Sequence, residues 1–386
     1  MEYTLEDSAL TLIIDGVIDS NNAEQIGKEI DDIRNNNNHD SLVLDLAKLS
    51  YISSAGLRQI LRLKKNSNKF KIINANSEVY EIFDMTGFSE MMDIEKAYRE
   101  ISVEGCEVIG EGSNGIVYRI SSDQIIKVYK NPDALDDIKR ERELARKALV
   151  LGINTAISYD VVKVGDKYGS VFELLNSKSL TRLINEDKSK LSEYVKIFTD
   201  ILKDIHKTEV KDGSLPSAKQ IAMKWVVYLS GKIPQDTYDK LYKLIDSVKE
   251  SNYLIHGDYH TSNLHYANGE AILIDMDTIA VGNPLFDFSS IFLAFKGFGE
   301  LDRSRVIEFL KIDWDTANTI WSELLKQYLN TNDAKVLEEA ENKAKVLGYT
   351  RLLRRTMKRE PENKDLLDDT LKKLIEVVNK VDSVSF

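Results

Sequence analysis

Between His256 and Asn263 the chain reads His-Gly-Asp-Tyr-His-Thr-Ser-Asn, and Ile-Asp-Met-Asp follows at 274–277. Ionisable and amide side chains are concentrated here between two apolar segments, 253–255 and 271–274, that read as buried strands, the layout of an active-site loop. Asp258, Asn263 and Asp275 are the groups able to do chemistry. A carboxylate can orient an acceptor hydroxyl and take its proton, while an amide oxygen and a second carboxylate can hold Mg2+ against a nucleotide's phosphates. Asn is a neutral donor and Asp a charged one, so the pair can bind the metal without excess negative charge facing a triphosphate. Asp277 is another candidate ligand, although a turn or capping carboxylate is the commoner role for such a residue.

Phosphoryl transfer also demands a phosphate cradle and a cation to position it. Gly110, Gly112 and Gly115 are spaced G-x-G-x-x-G, with Ser113 inside the loop and Val117 just beyond it. A dinucleotide site would open a helix after these glycines, whereas 116–120 is apolar and rich in β-branched residues, so the loop joins two strands. The next strand, 125–129, carries Lys127. The helix expected over 136–149 offers Glu141 and Glu143 to hold that lysine, and the spacing from Lys127 favours Glu143. Both glutamates could equally be solvated helix charges pairing with nearby lysines, Lys139 and Lys147 lying at i, i+4 spacing from Glu143. The strand at 168–175 ends in Glu173-Leu174-Leu175-Asn176. The helix at 197–206 presents Phe198, Ile201, Leu202 and Ile205 as one apolar stripe, and His206 is expected to pack beside the loop without doing chemistry.

The elements that must position these groups fit a chain of 386 residues, long enough for two or three domains. Net charge of -11 disfavours nucleic acid or an anionic membrane as the main partner. Cys106 is the lone cysteine, excluding an intrachain disulfide and a thiolate zinc site, and the histidines lack a metal-binding spacing. The acidic N-terminus lacks an apolar signal segment and no apolar run is long enough to span a bilayer, so a cytoplasmic location is expected.

In the first hundred residues strand and helix patterns alternate: strands at 10–14, 41–46 and 70–73, helices at 21–34, from Ser54, and at 77–85. The segment Asp45-Leu46-Ala47-Lys48-Leu49-Ser50-Tyr51-Ile52-Ser53-Ser54-Ala55-Gly56-Leu57-Arg58 resembles the signature of STAS domains, the fold of bacterial anti-sigma factor antagonists. The segments 16–19 and 83–88 resemble that family's flanking pieces. The resemblance implies a protein partner and a reversibly phosphorylated serine at Ser54, where a helix N-terminus favours a phosphate. Ser53 stands where the family usually has Asp, and Ser53 or Ser54 could instead serve simply as a helix cap.

After a linker near 97–105, the order of the glycine loop, Lys127, Glu143, Asp258, Asn263 and Asp275 resembles the aminoglycoside phosphotransferase and choline kinase group of small-molecule kinases. Asn263 follows Asp258 by five positions, as in the H-R-D-x-x-x-x-N loop of protein kinases. Gly257 replaces that arginine, Met276-Asp277 replaces Phe-Gly, and no Ala-Pro-Glu segment follows. The resemblance implies ATP and Mg2+ as cofactors and a small-molecule alcohol as acceptor. It also implies a nucleotide site at Gly110, Gly112, Ser113, Gly115, Val117, Lys127, Glu143, Glu173 and Leu175, the last two in a hinge reaching adenine. Asp258 becomes the catalytic residue, Asn263 and Asp275 the metal ligands, and Asp287 a structural residue. The expected fold class is α/β and α+β: a small STAS-type sheet with packed helices over 1–98, then a bilobal protein kinase-like fold over 99–386, its lobes dividing near 175. Specificity would reside in 178–191, 217–232 and 295–305. Arg351, Arg354, Arg355, Lys358 and Arg359 form a basic cluster that reads first as a solvated helix face, with contact to an anionic substrate as the sharper alternative.

Overall fold

The computed structural model describes residues 1–112 and 114–384. The N-terminal region contains β1 (Glu2–Glu6), β2 (Ala9–Ile18), α1 (Ala23–Asn36), β3 (Ser41–Ile52), α2 (Ser54–Lys65), β4 (Lys69–Ala75), α3 (Ser77–Met85), α4 (Phe88–Met91) and β5 (Asp93–Lys96). Asp7 and Ser8 both have positive φ, the backbone a tight hairpin needs, and they turn β1 antiparallel onto β2. The remaining neighbours in the order β1-β2-β3-β4-β5 run parallel. Alternation along the strands buries Leu10, Leu12 and Ile14 of β2 and Leu42, Leu44 and Leu46 of β3, and helices close the core. Gly56 brings α2 against the sheet: a Cβ there would lie 2.7 Å from Ile18 and Ile52 side-chain carbons. The exposed edge strand β1 has no burial-driven pattern, which is why hydrophobic spacing did not reveal it.

A second five-stranded sheet, ordered β6-β7-β8-β10-β9, consists of β6 (Glu107–Glu111), β7 (Gly115–Arg119), β8 (Gln124–Tyr129), β9 (Asp160–Val164) and β10 (Lys167–Glu173), with α5 (Leu135–Val150) between β8 and β9. The expected linker is ordered along this sheet. Glu100 bridges Lys163 of β9 in parallel, Arg99 pairs with Asp160 at 3.0 Å, and Ile101 and Val103 join the sheet's small core.

The chain falls into two compact units. One comprises Met1–Ile120, Ile126–Asp133 and Asp160–Val171; the other comprises Ser121–Ile125, Ala134–Tyr159 and the chain from Phe172 on. The second unit continues with β11 (Lys178–Ser179), α6 (Leu180–Glu186), α7 (Leu191–Lys207), α8 (Ala218–Tyr228) and α9 (Gln235–Asp246). Short strands β12 (Leu254–Ile255), β13 (Leu264–Ala267), β14 (Glu270–Leu273) and β15 (Ala280–Val281) frame the polar loop. The helices α10 (Leu285–Phe292), α11 (Phe298–Leu301), α12 (Arg303–Leu310), α13 (Trp314–Leu329), α14 (Ala334–Arg359) and α15 (Lys364–Lys380) complete it. The stripe foreseen on α7, Phe198, Leu202 and Ile205, sits in the large core with Leu144, Ala145 and Ala148 of α5. Among the described residues, no helix is long and apolar enough to cross a membrane.

Candidate active site

The loop from His256 to Asn263 is held at both ends by short antiparallel pairings. Leu254 and Ile255 pair with Val281 and Ala280, and β13 pairs with β14 from Leu264–Leu273 to Ala267–Glu270. The second hairpin places the residues flanking it opposite each other, so the Ile274 N–H donates to the Asn263 carbonyl at 3.0 Å. Asn263 and Asp275, twelve positions apart in the chain, thereby become neighbours. Asp275 has φ +62, a left-handed conformation disfavoured for a residue with a Cβ; such strain is characteristic of functional positions.

Beneath the loop lies Asp287, fully buried in the first turn of α10. Its carboxylate accepts the N–H of His256 at 2.8 Å and of Gly257 at 2.5 Å, and pairs with His206 Nε2 at 2.9 Å. Burial alone would raise this carboxyl, but the His206 hydrogen bond and charge, together with His256, outweigh that and hold it below the usual range. His206 is steadied in turn by the Tyr328 hydroxyl, 2.8 Å from its Nδ1. The structural roles expected for Asp287 and His206 thus have a concrete form: they fix the backbone that carries Asp258.

Three further contacts set the loop's shape. Tyr259 points into the core, stacks on Phe198 at 4.4 Å and donates to the Phe198 carbonyl at 2.7 Å. The Thr278 hydroxyl donates to the His256 carbonyl at 2.8 Å. Gly257 has φ +82, and a Cβ there would lie 2.5 Å from the Thr278 carbonyl oxygen, so the position excludes the arginine of protein kinases on steric grounds as well.

Asp258 is half-buried. The Asn263 amide nitrogen donates to its carbonyl at 3.1 Å, which commits Asn263 Nδ2 and makes Oδ1 the end that could ligate a metal. Arg351, from α14, donates to the Gly257 carbonyl at 2.7 Å and reaches Asp258 Oδ1 at 3.4 Å. Burial pushes the Asp258 carboxyl up, but Arg351, then His260, His256 and Arg355, outweigh it and leave the group below its ordinary value. Asp258 is therefore ionised at neutral pH. His260 stands 3.9 Å from Asp258, packed edge-on against Phe309, and burial lowers its imidazole below the usual range, so it is neutral there.

Among the described residues, no group of three His, Cys, Asp or Glu side chains gathers to hold a metal by itself. Asn263 and Asp275 could offer two oxygens, a set that would suit Mg2+ completed by phosphate and water oxygens better than a protein-enclosed ion.

The remaining sequence-derived residues lie away from this loop in the chain. Gly112 N–H closes the glycine turn onto the Gly115 carbonyl at 2.9 Å, and Gly115 permits close passage of β8, since a Cβ would meet the Val128 carbonyl oxygen at 2.6 Å. Gly110 ends the bulged part of β6 opposite Val117. Ser113 lies outside the described residues. Lys127 sits half-buried on β8, its ammonium 5.2 Å from the Tyr129 ring centre. Just beyond β10, in the segment expected to act as the hinge, the Leu174 N–H is taken by the Asp123 carbonyl at 2.8 Å. Glu143 is exposed and pairs with Lys147 at 2.7 Å, the solvated i, i+4 arrangement. Glu141 is half-buried and shares a helix face with Ile138, Leu144, Ala145 and Ala148. The residue that sequence reasoning undervalued most is Arg351, for which the only signal was an unusual density of cations.

With this geometry in place, comparison with known proteins becomes informative. Residues 105–319 match the phosphotransferase enzyme family. The chain belongs to that family. Residues 1–101 match the STAS domain family. This part is 32% identical over 100 residues to BtrV of Bordetella bronchiseptica, named as an anti-sigma factor antagonist, covering 24% of this chain and 85% of BtrV. Solved structures of similar fold include a thermostable aminoglycoside phosphotransferase APH(4)-Ia variant in ternary complex with ADP and hygromycin B. That structure has a TM-score of 0.52 at 12% identity and covers 72% of this chain and 94% of its own. An AMP-PNP and hygromycin B complex of another variant gives a TM-score of 0.51 at 13% identity, covering 72% and 96%. At these identities the likeness is one of fold. The chain is thus a STAS domain followed by a phosphotransferase-family domain, as the motif order implied.

Proposed function

We propose that this phosphotransferase-family chain transfers the γ-phosphoryl group of ATP, with Mg2+, to a hydroxyl of a small molecule. The observation that carries the proposal is the coupling of Asp258 to Asn263 and Arg351. Asp258 stays ionised and is held in place, so it can accept the acceptor's hydroxyl proton and aim its oxygen at phosphorus. Asn263 Oδ1 and Asp275 would hold Mg2+, which when bound supplies charge neutralisation along the phosphates. The glycine loop and Lys127 would position the nucleotide, and of the two glutamates on α5 the half-buried Glu141, rather than the exposed Glu143, would be the carboxylate of the nucleotide site. Glu173 and Leu175 would offer backbone groups to the base. Transfer of this type depends on positioning and electrostatics more than on strong bases, which suits a carboxylate whose pKa is depressed. Complexes of the structural neighbours with ADP and AMP-PNP support an adenine nucleotide as donor.

The test is Asp258→Ala. Turnover on an alcohol panel should fall by roughly 10³-fold or more while AMP-PNP binding persists. Wild-type-like transfer by that variant would overturn the assignment.

A second reading concerns the STAS domain. Ser53 caps α2 by accepting the Gly56 N–H at 3.3 Å, while Ser54, the first helical residue, is exposed. The capping duty therefore does not occupy Ser54, and we propose it as a phosphate acceptor that switches docking of a protein partner, with the phosphotransferase domain as a nucleotide-responsive element. Intact-mass measurement with Mg-ATP tests self-modification: a gain of one phosphate that vanishes in Ser54→Ala supports it, and a gain that persists in that variant refutes it.

A further inference from the structure

The second half of α14 carries positive charge that ion pairs among the described residues neutralise only in part. Its first half balances its charges: Lys343 pairs with Glu339, and Lys345 with Glu341. From Arg351 to Arg359 the helix has Arg351, Arg354, Arg355, Lys358 and Arg359 and no acid. Of these, Arg351 reaches Asp258; among the described residues none of the other four has a carboxylate within ion-pairing distance. Arg354 Nε is shielded from solvent and lacks a hydrogen-bond partner among those residues.

Three of these cations stand over aromatic rings. The Arg351 guanidinium stands 5.7 Å from the Trp225 ring centre on α8, and Arg354 and Lys358 stand 5.9 and 5.0 Å from that of Tyr228. Lys232 approaches the same ring at 3.9 Å. Three cations thus surround one tyrosine in a chain whose net charge is -11. Like charges spaced i, i+4 oppose one another. A helix C-terminus welcomes cations in its last turn, which accounts for Lys358 and Arg359 but not for Arg351 and Arg354 further in. A solvated face would pair its charges as Lys147, Arg182 and Lys196 do with Glu143, Glu186 and Asp200.

The stripe begins at the carboxylate proposed to face the acceptor and extends along α14 for about 12 Å, at ~1.5 Å per residue over eight residues. We infer that the acceptor alcohol carries an anionic group, a phosphate or a carboxylate, which Arg354 and Lys358, with Lys232, bind beside Trp225 and Tyr228 while its hydroxyl lies at Asp258. This rests on the phosphotransferase reading and sharpens it. A polycationic acceptor would be repelled by the same surface. Arginine matches the planar, two-oxygen geometry of such anions, and aromatic faces hold the cations in place without neutralising them.

The test uses the full-length protein saturated with Mg-AMP-PNP, so that nucleotide does not compete, titrated calorimetrically with glycerol 3-phosphate, inorganic phosphate, acetate and kanamycin. Saturable, salt-sensitive binding of glycerol 3-phosphate or a simple anion is expected, weakened roughly tenfold or more in Arg354→Gln/Lys358→Gln, with kanamycin not bound. Absence of saturable anion binding, or unchanged affinity in a double variant that melts like wild type, overturns the inference. Transfer confined to neutral or cationic alcohols would overturn it while sustaining the kinase assignment. Anion binding without transfer to any alcohol would do the reverse.

Discussion

Arg351 donates to the Gly257 carbonyl from 94 residues away and stands 3.4 Å from the Asp258 carboxylate. The contact does two things at once: it pins the loop and opposes the upward push of burial on Asp258. With its pKa depressed, Asp258 remains ionised down to below the usual carboxylate range near ~3.9. Arg351→Gln removes the leading opposing charge, so burial prevails and the carboxyl protonates at higher pH. The acid limb of kcat/KM should shift upward in pH, with the neutral-pH rate reduced as the loop loosens. A pH–rate profile with an unmoved acid limb would contradict this role.

Asp287→Asn should destabilise the second unit. An amide can satisfy at most part of what the carboxylate does for the His256 and Gly257 N–H groups and for His206. Breaking one partner of a buried ionic network costs about 3–5 kcal/mol. Denaturant unfolding should show the loss, and turnover should fall with it.

Gly257→Ala isolates the steric requirement of the loop. The substitution meets both a left-handed φ of +82 and the Thr278 carbonyl. Left-handed backbone alone costs roughly 1–2 kcal/mol for a residue with a Cβ, and the close approach adds to it. A variant with wild-type stability and turnover would show that the loop relaxes freely.

Ser53→Ala and Ser54→Ala should differ. Loss of the Ser53 cap ought to lower the stability of the STAS domain by about 1 kcal/mol, whereas removing the exposed Ser54 hydroxyl should leave melting nearly unchanged. Thermal unfolding of the two variants side by side decides it.

Glu141→Gln and Glu143→Gln separate two helix positions. The Glu143–Lys147 pair is exposed and worth only a few tenths of a kcal/mol, so Glu143→Gln should leave nucleotide binding and turnover intact. Glu141→Gln should weaken nucleotide affinity. The opposite result would return the role to Glu143.

The sequence by itself determined the features that local spacing encodes. Alternating and helical periodicities marked many of the strands and helices of both domains because burial on one face imposes them, and β1 escaped because neither of its faces is buried. The order of the glycine loop, Lys127, Asp258, Asn263 and Asp275 pointed to the family because each sits on a short strand or in a turn whose position is set within a few residues. Counting from Lys127 pointed to Glu143, whereas the angular phase set by Ile138, Leu144, Ala145 and Ala148 brings Glu141 toward the core side. That phase was present in the sequence but gives no sense of which face is covered until α5 packs. Tertiary structure alone decided what surrounds the Asp258 carboxylate. Arg351, Asp287 and His206 converge on the His256–Asn263 loop from α14, α10 and α7, and the Arg351 charge that leads in keeping Asp258 ionised reaches it only when α14 packs against the loop. No periodicity records such a meeting, because the contact is made by residues whose separation along the chain is set by everything folded between them.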